Sequence, residues 1–121
     1  MPADIQTFFD GYRDAFNHLD GQAVSAHYDI PAMIAHTSGN GVFHDIDALN
    51  ANNMALCAQY ANDGFVRADF NERAFVPQGE NFCVAELAWT ITRKEKPPQC
   101  FNTSCACQTG RCVESFLCDR I

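Results

Sequence analysis

A few polar side chains lie in apolar stretches of the sequence, where burial would change their chemistry. Tyr12 is surrounded by apolar residues at helical spacing, and His36 ends a short apolar run. A buried phenol needs a hydrogen-bond partner, because an unsatisfied hydroxyl costs about 1–3 kcal/mol, and histidine is a base near neutral pH. Asp69 and Glu86 occur in predicted strands, where a buried carboxylic acid becomes a proton donor. Structural hydrogen bonds for Tyr12 and His36, and exposed positions for both carboxylates, are the alternatives.

The cysteines form a second group with chemical potential. Five of the seven lie near the C-terminus, at positions Cys100, Cys105, Cys107, Cys112 and Cys118. None forms the C-x2-C pair that grips zinc from a turn, although Cys105 and Cys107 share a strand face and can meet Cys112 across a hairpin. Reduced thiols are the favoured interpretation, with a metal or redox site as the alternative.

The other histidines, His18, His27 and His44, fall near the ends of predicted elements and are interpreted as surface or capping residues. No two histidines have the spacing of about four that places a metal-binding pair on one helix face. The sequence therefore predicts no metal and no cofactor.

Composition excludes several classes of function. The chain has 121 residues and a formal net charge of −7, from 8 Lys and Arg against 15 Asp and Glu. It lacks the runs of cations that nucleic acids and anionic membranes attract, so neither is an expected partner. The first residues have no basic and apolar signal-peptide pattern, and no apolar run reaches the ~20 residues of a membrane span. We expect one domain over residues 1–121 and a cytoplasmic location.

Helical patterns dominate the first half of the chain. Asp4 is a predicted cap for a first helix, whose apolar residues recur every three or four positions up to Phe16. A short second helix is predicted from Ala23 through Tyr28 and ended by Pro31. A strand at 32–37 and a turn at 38–41 follow. Asp45 is the predicted cap of a third helix that stops near Gly64.

After Gly64 the apolar period changes from helix-like to strand-like. Strands are predicted at 65–75, 82–93, 99–108 and 111–118, separated by turns that contain proline or glycine. In the second of these strands, alternate residues are apolar from Cys83 to Ile91. Helices gathered first and strands gathered last predict an α+β fold in which the sheet curls over the helices.

Three segments resemble the nuclear transport factor 2-like superfamily, in its SnoaL-like and ketosteroid isomerase-like branch. Residues 8–17 (FFDGYRDAFN) resemble the opening helix of that family, 23–44 its second helix and first hairpin, and 101–104 (FNTS) the start of its penultimate strand. The resemblance implies a cystatin-like roll: a cone-shaped, curved, mostly antiparallel sheet wrapped over three N-terminal helices. It also implies a small-molecule pocket and a homodimer through the outer face of the sheet.

Steroid isomerases of this superfamily suggest roles for individual residues. Aligned with their catalytic pattern, Tyr12 matches a tyrosine donor, His36 stands at the position of the carboxylate base, and Asn102 lies near the acid donor. Only Tyr12 matches in identity. A histidine base and an amide donor are chemically workable replacements, but they remove any assignment of steroid isomerase activity.

These observations lead to three functional hypotheses. The first is a small-molecule-binding protein, in its enzymatic form a general acid/base isomerase or hydrolase, with Tyr12, His36 and Asn102 as catalytic groups. Its small apolar substrate would contact six further residues: Phe16, Met33, Tyr60, Asp69, Glu86 and Trp89. The second is a non-catalytic ligand-binding or protein-interaction module, and the third is a thiol-based metal or redox protein. Fold alone does not choose among them.

Overall fold

The structure is a computed structural model that describes residues 1–36, 39–108 and 111–119; for His36, Asn40 and 111–119 it describes the backbone alone. In these ranges the chain forms three helices, α1 (Ala3–Asn17), α2 (Gly21–Ser25) and α3 (Ile46–Asn62). It also forms six strands: β1 (Tyr28–His36), β2 (Gly39–Phe43), β3 (Phe65–Gln78), β4 (Phe82–Arg93), β5 (Gln99–Gln108) and β6 (Arg111–Asp119). The predicted α+β fold is confirmed.

Helix α1 begins earlier than predicted. Its N-cap is Pro2, with no capping hydrogen bond from a side chain, and Asp4 lies within the first turn. The prediction of Asp4 as cap was therefore wrong. Its carboxylate, in the first turn, still interacts favourably with the positive end of the helix dipole. Ile5 and Phe9 are buried on the predicted apolar face.

The boundary between α2 and β1 also differs from the prediction. Helix α2 ends at Ser25, and Tyr28 is the first residue of β1 rather than the end of a helix. Pro31 lies inside β1, where the pairing with β6 shifts register between Tyr28 and Met33. Because proline has no N–H to donate, such irregular stretches are where a strand accepts it.

Helix α3 has the predicted ends. The Asp45 carboxylate accepts a hydrogen bond of 2.8 Å from the backbone N–H of Ala48, and so caps the first turn. After the last helical residue, Gly64 has a φ of +81°, the left-handed conformation that glycine adopts without strain at a helix end. The predicted turn before α3 differs, since residues 39–41 belong to β2.

The sheet has the strand order β2-β1-β6-β5-β4-β3. All neighbouring strands pair antiparallel except β1 and β6, which pair parallel. Strand β3 is one edge, and its register against β4 shifts between Phe65 and Arg67 and again between Glu72 and Ala74. Such bulges bend a strand and increase its twist.

One face of the sheet, here called the inner face, carries the core. On β4 the buried residues alternate with half-buried ones, and the buried set is Cys83, Ala85, Leu87, Trp89 and Ile91. This confirms the predicted alternation. On β5 the residues on the same face are Phe101, Thr103, Cys105 and Cys107, each directly opposite a member of the β4 set. The remaining residues of these strands lie on the outer face, because successive side chains alternate.

Helix α1 packs on the inner face, and its C-terminal end is hydrogen-bonded to the edge strand β3. The Asn17 side chain donates from Nδ2 to the carbonyl of Ala68 (3.2 Å) and accepts from the N–H of Ala68 (2.6 Å). Nearer the N-terminal end of α1, the Phe9 ring contacts the Phe70 ring of β3, with centroids 6.4 Å apart. These contacts fix which residues of α1 face the sheet.

None of the helices in the described ranges has the length and apolar character that crossing a bilayer requires.

Candidate functional site

The inner face brings three aromatic residues from three elements together. The Tyr12 ring of α1 lies 6.0 Å from the ring of Tyr28 in β1 and 6.1 Å from that of Trp89 in β4, measured between centroids. Trp89 also packs against Phe70 of β3 at 5.1 Å. Trp89 and Tyr28 are almost completely buried, whereas Tyr12 is half-buried. The group, here called the aromatic site, combines bulky apolar surface with two phenol hydroxyls.

The two phenols are joined directly. The hydroxyl oxygens of Tyr12 and Tyr28 are 2.8 Å apart, and either one can be the donor. Each hydroxyl has one proton to donate and lone pairs that accept. In surroundings of low polarity, linked hydrogen bonds strengthen one another. The pair therefore concentrates hydrogen-bonding capacity in an otherwise aromatic region.

A second hydrogen bond holds Trp89 in place. Its indole Nε1–H donates to the Thr103 hydroxyl oxygen at 3.0 Å, and both side chains are buried. Since indole has this one donor, the bond fixes the rotation of the ring and leaves its faces as the surface it presents to Tyr12 and Phe70. Thr103 thus acts on the aromatic site by positioning Trp89.

Further aromatic rings continue from Tyr12 towards α3. Phe16 contacts Tyr12 at 5.2 Å and Tyr60 at 6.1 Å, and Tyr60 stacks on Phe65 at 5.8 Å. Burial, with a smaller contribution from Cys57, raises the pKa of Tyr60 to about 12. Tyr60 therefore stays a neutral phenol at physiological pH and cannot serve as a base there.

A histidine also borders Tyr12. The His27 ring lies 5.6 Å from the Tyr12 ring and 5.2 Å from Phe8. Its Nδ1 is 2.9 Å from the carbonyl of Ala23, an acceptor, so Nδ1 carries the proton in this contact. The other nitrogen, Nε2, faces Gly11, where an added Cβ would come within 3.2 Å of it.

Three of the predicted site residues lie on the opposite side of the sheet. Asn102 and Glu86 alternate with the buried residues of β5 and β4, and so lie half-buried on the outer face. Asp69, opposite Thr90, is exposed there and pairs with Arg67 at 2.9 Å. The structure does not bring these three residues to the aromatic site.

The remaining predicted residues divide into two sets. Tyr12 and Trp89 belong to the aromatic site, Phe16 contacts it through Tyr12, and Tyr60 reaches it through Phe16. Met33 alternates in β1 with Ala32 and Ile34, which pack in the core, and therefore points to the opposite face. His36 is the last residue of β1 in the backbone description, and its side chain lies outside the described part of the structure.

A separate groove lies between the α1–α2 corner and α3. It has a volume of about 620 Å³ and is lined by nine residues: His18, Leu19, Asp20, Gly21, Gln22, Met54, Cys57, Ala58 and Ala61. Burial, assisted by the Asp20 carboxylate, raises the pKa of the Cys57 thiol. None of the predicted site residues lines this groove. Among the side chains that the structure describes, no three His, Cys, Asp or Glu groups are arranged to hold a metal ion.

Comparison with known proteins settles the family. The model of the family described as "NTF2-like protein (DUF6841)" matches residues 3–96, which is most of the chain. The chain belongs to this NTF2-like family. No curated protein matches it in sequence.

Solved structures agree with the family in fold. An NTF2-like protein of unknown function from Shewanella oneidensis MR-1 has a TM-score of 0.78 at 15% identity, over 98% of this chain and 100% of that one. A domain of unknown function with a cystatin-like fold from Nostoc punctiforme has a TM-score of 0.80 at 11% identity, over 100% and 80%. A ketosteroid isomerase-like protein from Erwinia carotovora atroseptica has a TM-score of 0.75 at 17% identity, over 98% and 95%. At such identities the likeness concerns the fold alone.

Sequence reasoning missed two residues of this NTF2-like chain's aromatic site. Tyr28 was assigned to the second helix, because it continues the helical spacing of Val24 and His27. Thr103 shares its parity with Cys105 and Cys107, the residues predicted to share a strand face, and this alternation was the signal that would have selected it over Asn102. Both omissions concern which face a residue occupies.

Proposed function

We propose that the chain binds a small, largely apolar molecule with a hydrogen-bond-accepting oxygen, at the aromatic site on the inner face of the sheet. The observation that carries the proposal is the 2.8 Å contact between the Tyr12 and Tyr28 hydroxyls beside the Trp89 ring. Small-molecule sites in proteins typically combine apolar and aromatic surfaces with a few placed polar groups.

The polar groups around Tyr12 favour binding over catalysis. The Tyr28 hydroxyl is hydrogen-bonded to Tyr12 and the His27 ring borders it, whereas the carboxylates Asp69 and Glu86 lie on the outer face. An acid/base isomerase or hydrolase needs a base within about 3 Å of the proton that it removes. His36 is our candidate for that base. A catalytic site that uses His36 is the second form of the proposal.

The single tryptophan of the chain offers a direct test. Trp89 lies 6.1 Å from Tyr12, so a ligand at the aromatic site should change the tryptophan fluorescence. Titration with decalone, a bicyclic apolar ketone, should give a saturable change. Tyr12→Phe removes the hydroxyl and keeps the ring, and should weaken decalone binding about two- to tenfold, the effect of one hydrogen bond.

Tyr60→Phe is the matched control, because it removes a hydroxyl from a ring that reaches the aromatic site only through Phe16. It should leave decalone affinity unchanged. An affinity lowered equally by both substitutions would contradict the assigned donor. A fluorescence signal that stays unsaturable over the whole titration would contradict the site itself.

We also propose that two copies of the chain pair through the outer face of the sheet. Val76 and Phe82 are about half exposed there, at 47% and 44%, and half-buried Val84 lies directly opposite Val76. Exposed apolar side chains grouped on one face are typical of an interface. Two further proposals are that residues 1–121 form one domain and that the protein is cytoplasmic.

A further inference from the structure

A group of thiols lies on the inner face, at the far end of β4 and β5 from Trp89. Cys83, Cys105 and Cys107 are buried there, with exposed fractions of 6%, 4% and 1%. Side chains on the inner face are small at this end of the strands. The next inner-face residue of β4 after Cys83 is Ala85. This group is separate from the aromatic site, and the proposed binding function does not use it.

The strand register selects one pair from this group. Cys83 is directly opposite Cys107 in the antiparallel pairing of β4 with β5. Opposite residues in such a pair have Cα atoms about 4.5–5.5 Å apart, within the range of about 4.4–6.8 Å that a disulfide spans. Cys105 lies diagonally from Cys83, and diagonal neighbours are typically about 7–8 Å apart, beyond the Cα separation of about 4.4–6.8 Å that a disulfide spans.

Cys83 and Cys107 are both free thiols in the structure, and Cys107 is close enough to affect the pKa of Cys83. Cys107 Sγ also lies 3.9 Å from the carbonyl oxygen of Cys105. Burial, followed by the charge and hydrogen bond of Cys107, raises the pKa of Cys83 to about 11. At neutral pH Cys83 is therefore a protonated, slowly reacting thiol.

We propose that Cys83 and Cys107 are a reversible redox pair, which closes to an intrachain disulfide by exchange with a small-molecule disulfide. One protein thiol loses its proton and attacks a sulfur of the small disulfide, forming a mixed disulfide and releasing one small thiol. The second protein thiol then attacks the protein sulfur of that bond and releases the other small thiol. The two protein thiols lose two electrons and two protons, and the small disulfide becomes two thiols.

The closed pair joins β4 to β5 beneath the start of α1. Asp4, in the first turn of α1, is close enough to influence Cys83 electrostatically. The disulfide would therefore crosslink the sheet under this helix without touching the aromatic site. Dithiothreitol should restore both thiols, because the exchange runs in either direction with the excess of reductant or oxidant.

Peptide mapping of the native full chain after incubation with oxidised glutathione tests the proposal. Free thiols are alkylated, the protein is digested without reduction, and the disulfide-linked peptides are identified by mass spectrometry. We expect one major linked pair, Cys83 with Cys107. Its rate of formation should rise between neutral pH and pH 9, because the thiolate is the nucleophile.

The alternatives are distinguishable in the same experiment. Cys107 linked to Cys112, which the backbone register also places opposite it, would overturn the proposal. So would full alkylation of Cys83 after prolonged oxidation at pH 9. The wild-type map decides the matter even where a variant folds poorly.

Two variants sharpen the assignment. Cys83→Ala should abolish the linked pair. The inner face of β4 already carries an alanine two residues along, at position 85. Cys57→Ala is the matched control, because Cys57 is equally buried but lies in α3. It should leave the linked pair unchanged, and loss of the pair in this control would contradict the assignment. Decalone binding tests the proposed function separately, so either proposal can fail alone.

Discussion

The two faces of the β4–β5 pair differ sharply in environment, although the same two strands build them. On the inner face, Leu87 and Trp89 are buried and Thr103 holds the indole. On the outer face, Glu86 and Asn102 are half-buried neighbours of those residues in the chain. A step of one residue along a strand therefore exchanges the core for the outer surface. Polar residues in a strand become site candidates only when their parity matches that of the buried residues.

The largest expected difference between the faces concerns packing. Leu87 is fully buried, so Leu87→Ala should lower the free energy of unfolding by about 2–5 kcal/mol, through lost apolar burial and a cavity. Phe82→Ala removes more atoms from the outer face but should cost the monomer about 0.5 kcal/mol or less, because Phe82 is half exposed there. Urea unfolding monitored by circular dichroism measures both.

Both variants must be compared at protein concentrations where the chain is monomeric, because Phe82 belongs to the proposed interface and an assembling chain gains apparent stability with concentration. Equal losses for Leu87→Ala and Phe82→Ala would mean that both faces are packed alike. That result would break the comparison.

The next effect concerns the hydrogen bond behind the aromatic site. Thr103→Val keeps the side-chain shape but leaves the buried Trp89 N–H without its acceptor, which should cost about 1–3 kcal/mol of unfolding free energy. The released indole should also shift its fluorescence emission. Ser104→Ala, one residue along on the outer face, is the control and should change neither quantity appreciably. An unchanged emission spectrum for Thr103→Val would mean that packing alone holds the ring.

The smallest effect on stability is expected on the outer face, where assembly is the readout. Val76→Lys places a charge on a half-exposed position opposite Val84 and should change the unfolding free energy of the monomer by about 0.5 kcal/mol or less. It should nevertheless shift the molar mass measured by light scattering from dimer to monomer. Met54→Lys, at a similarly exposed position on α3, should leave the dimer intact. A wild-type chain that stays monomeric at all concentrations would contradict the proposed interface.

Much of the fold was predictable because its signals are local. The bounds of β4 and β5 were predicted correctly, since alternation and turn residues mark both ends. The cap at Asp45 and the stop at Gly64 were correct for the same reason. The error at Tyr28 is also local: residues 23–28 fit a helical spacing, but β1 gains more from pairing in the sheet than this short segment gains from one more helical turn.

The candidate site was only partly predictable. The structure brings Tyr12, Phe16 and Trp89 close together, because each lies on the apolar face of its own element. Asn102 was placed by alignment with the steroid isomerase pattern, and such an alignment does not show which face of the sheet a residue occupies. The strand register decides that, and it puts Thr103 beside Trp89.

By itself, the sequence determined the elements of this protein: the period of each apolar pattern, the capping residues and the order of helices before strands. These depend on interactions between residues a few positions apart. Only the tertiary structure decided that Tyr12 meets Tyr28, that Thr103 holds Trp89 and that Cys83 faces Cys107. Each of these pairs joins different elements, and its geometry depends on strand register and on the curvature of the sheet, which no short segment of sequence specifies.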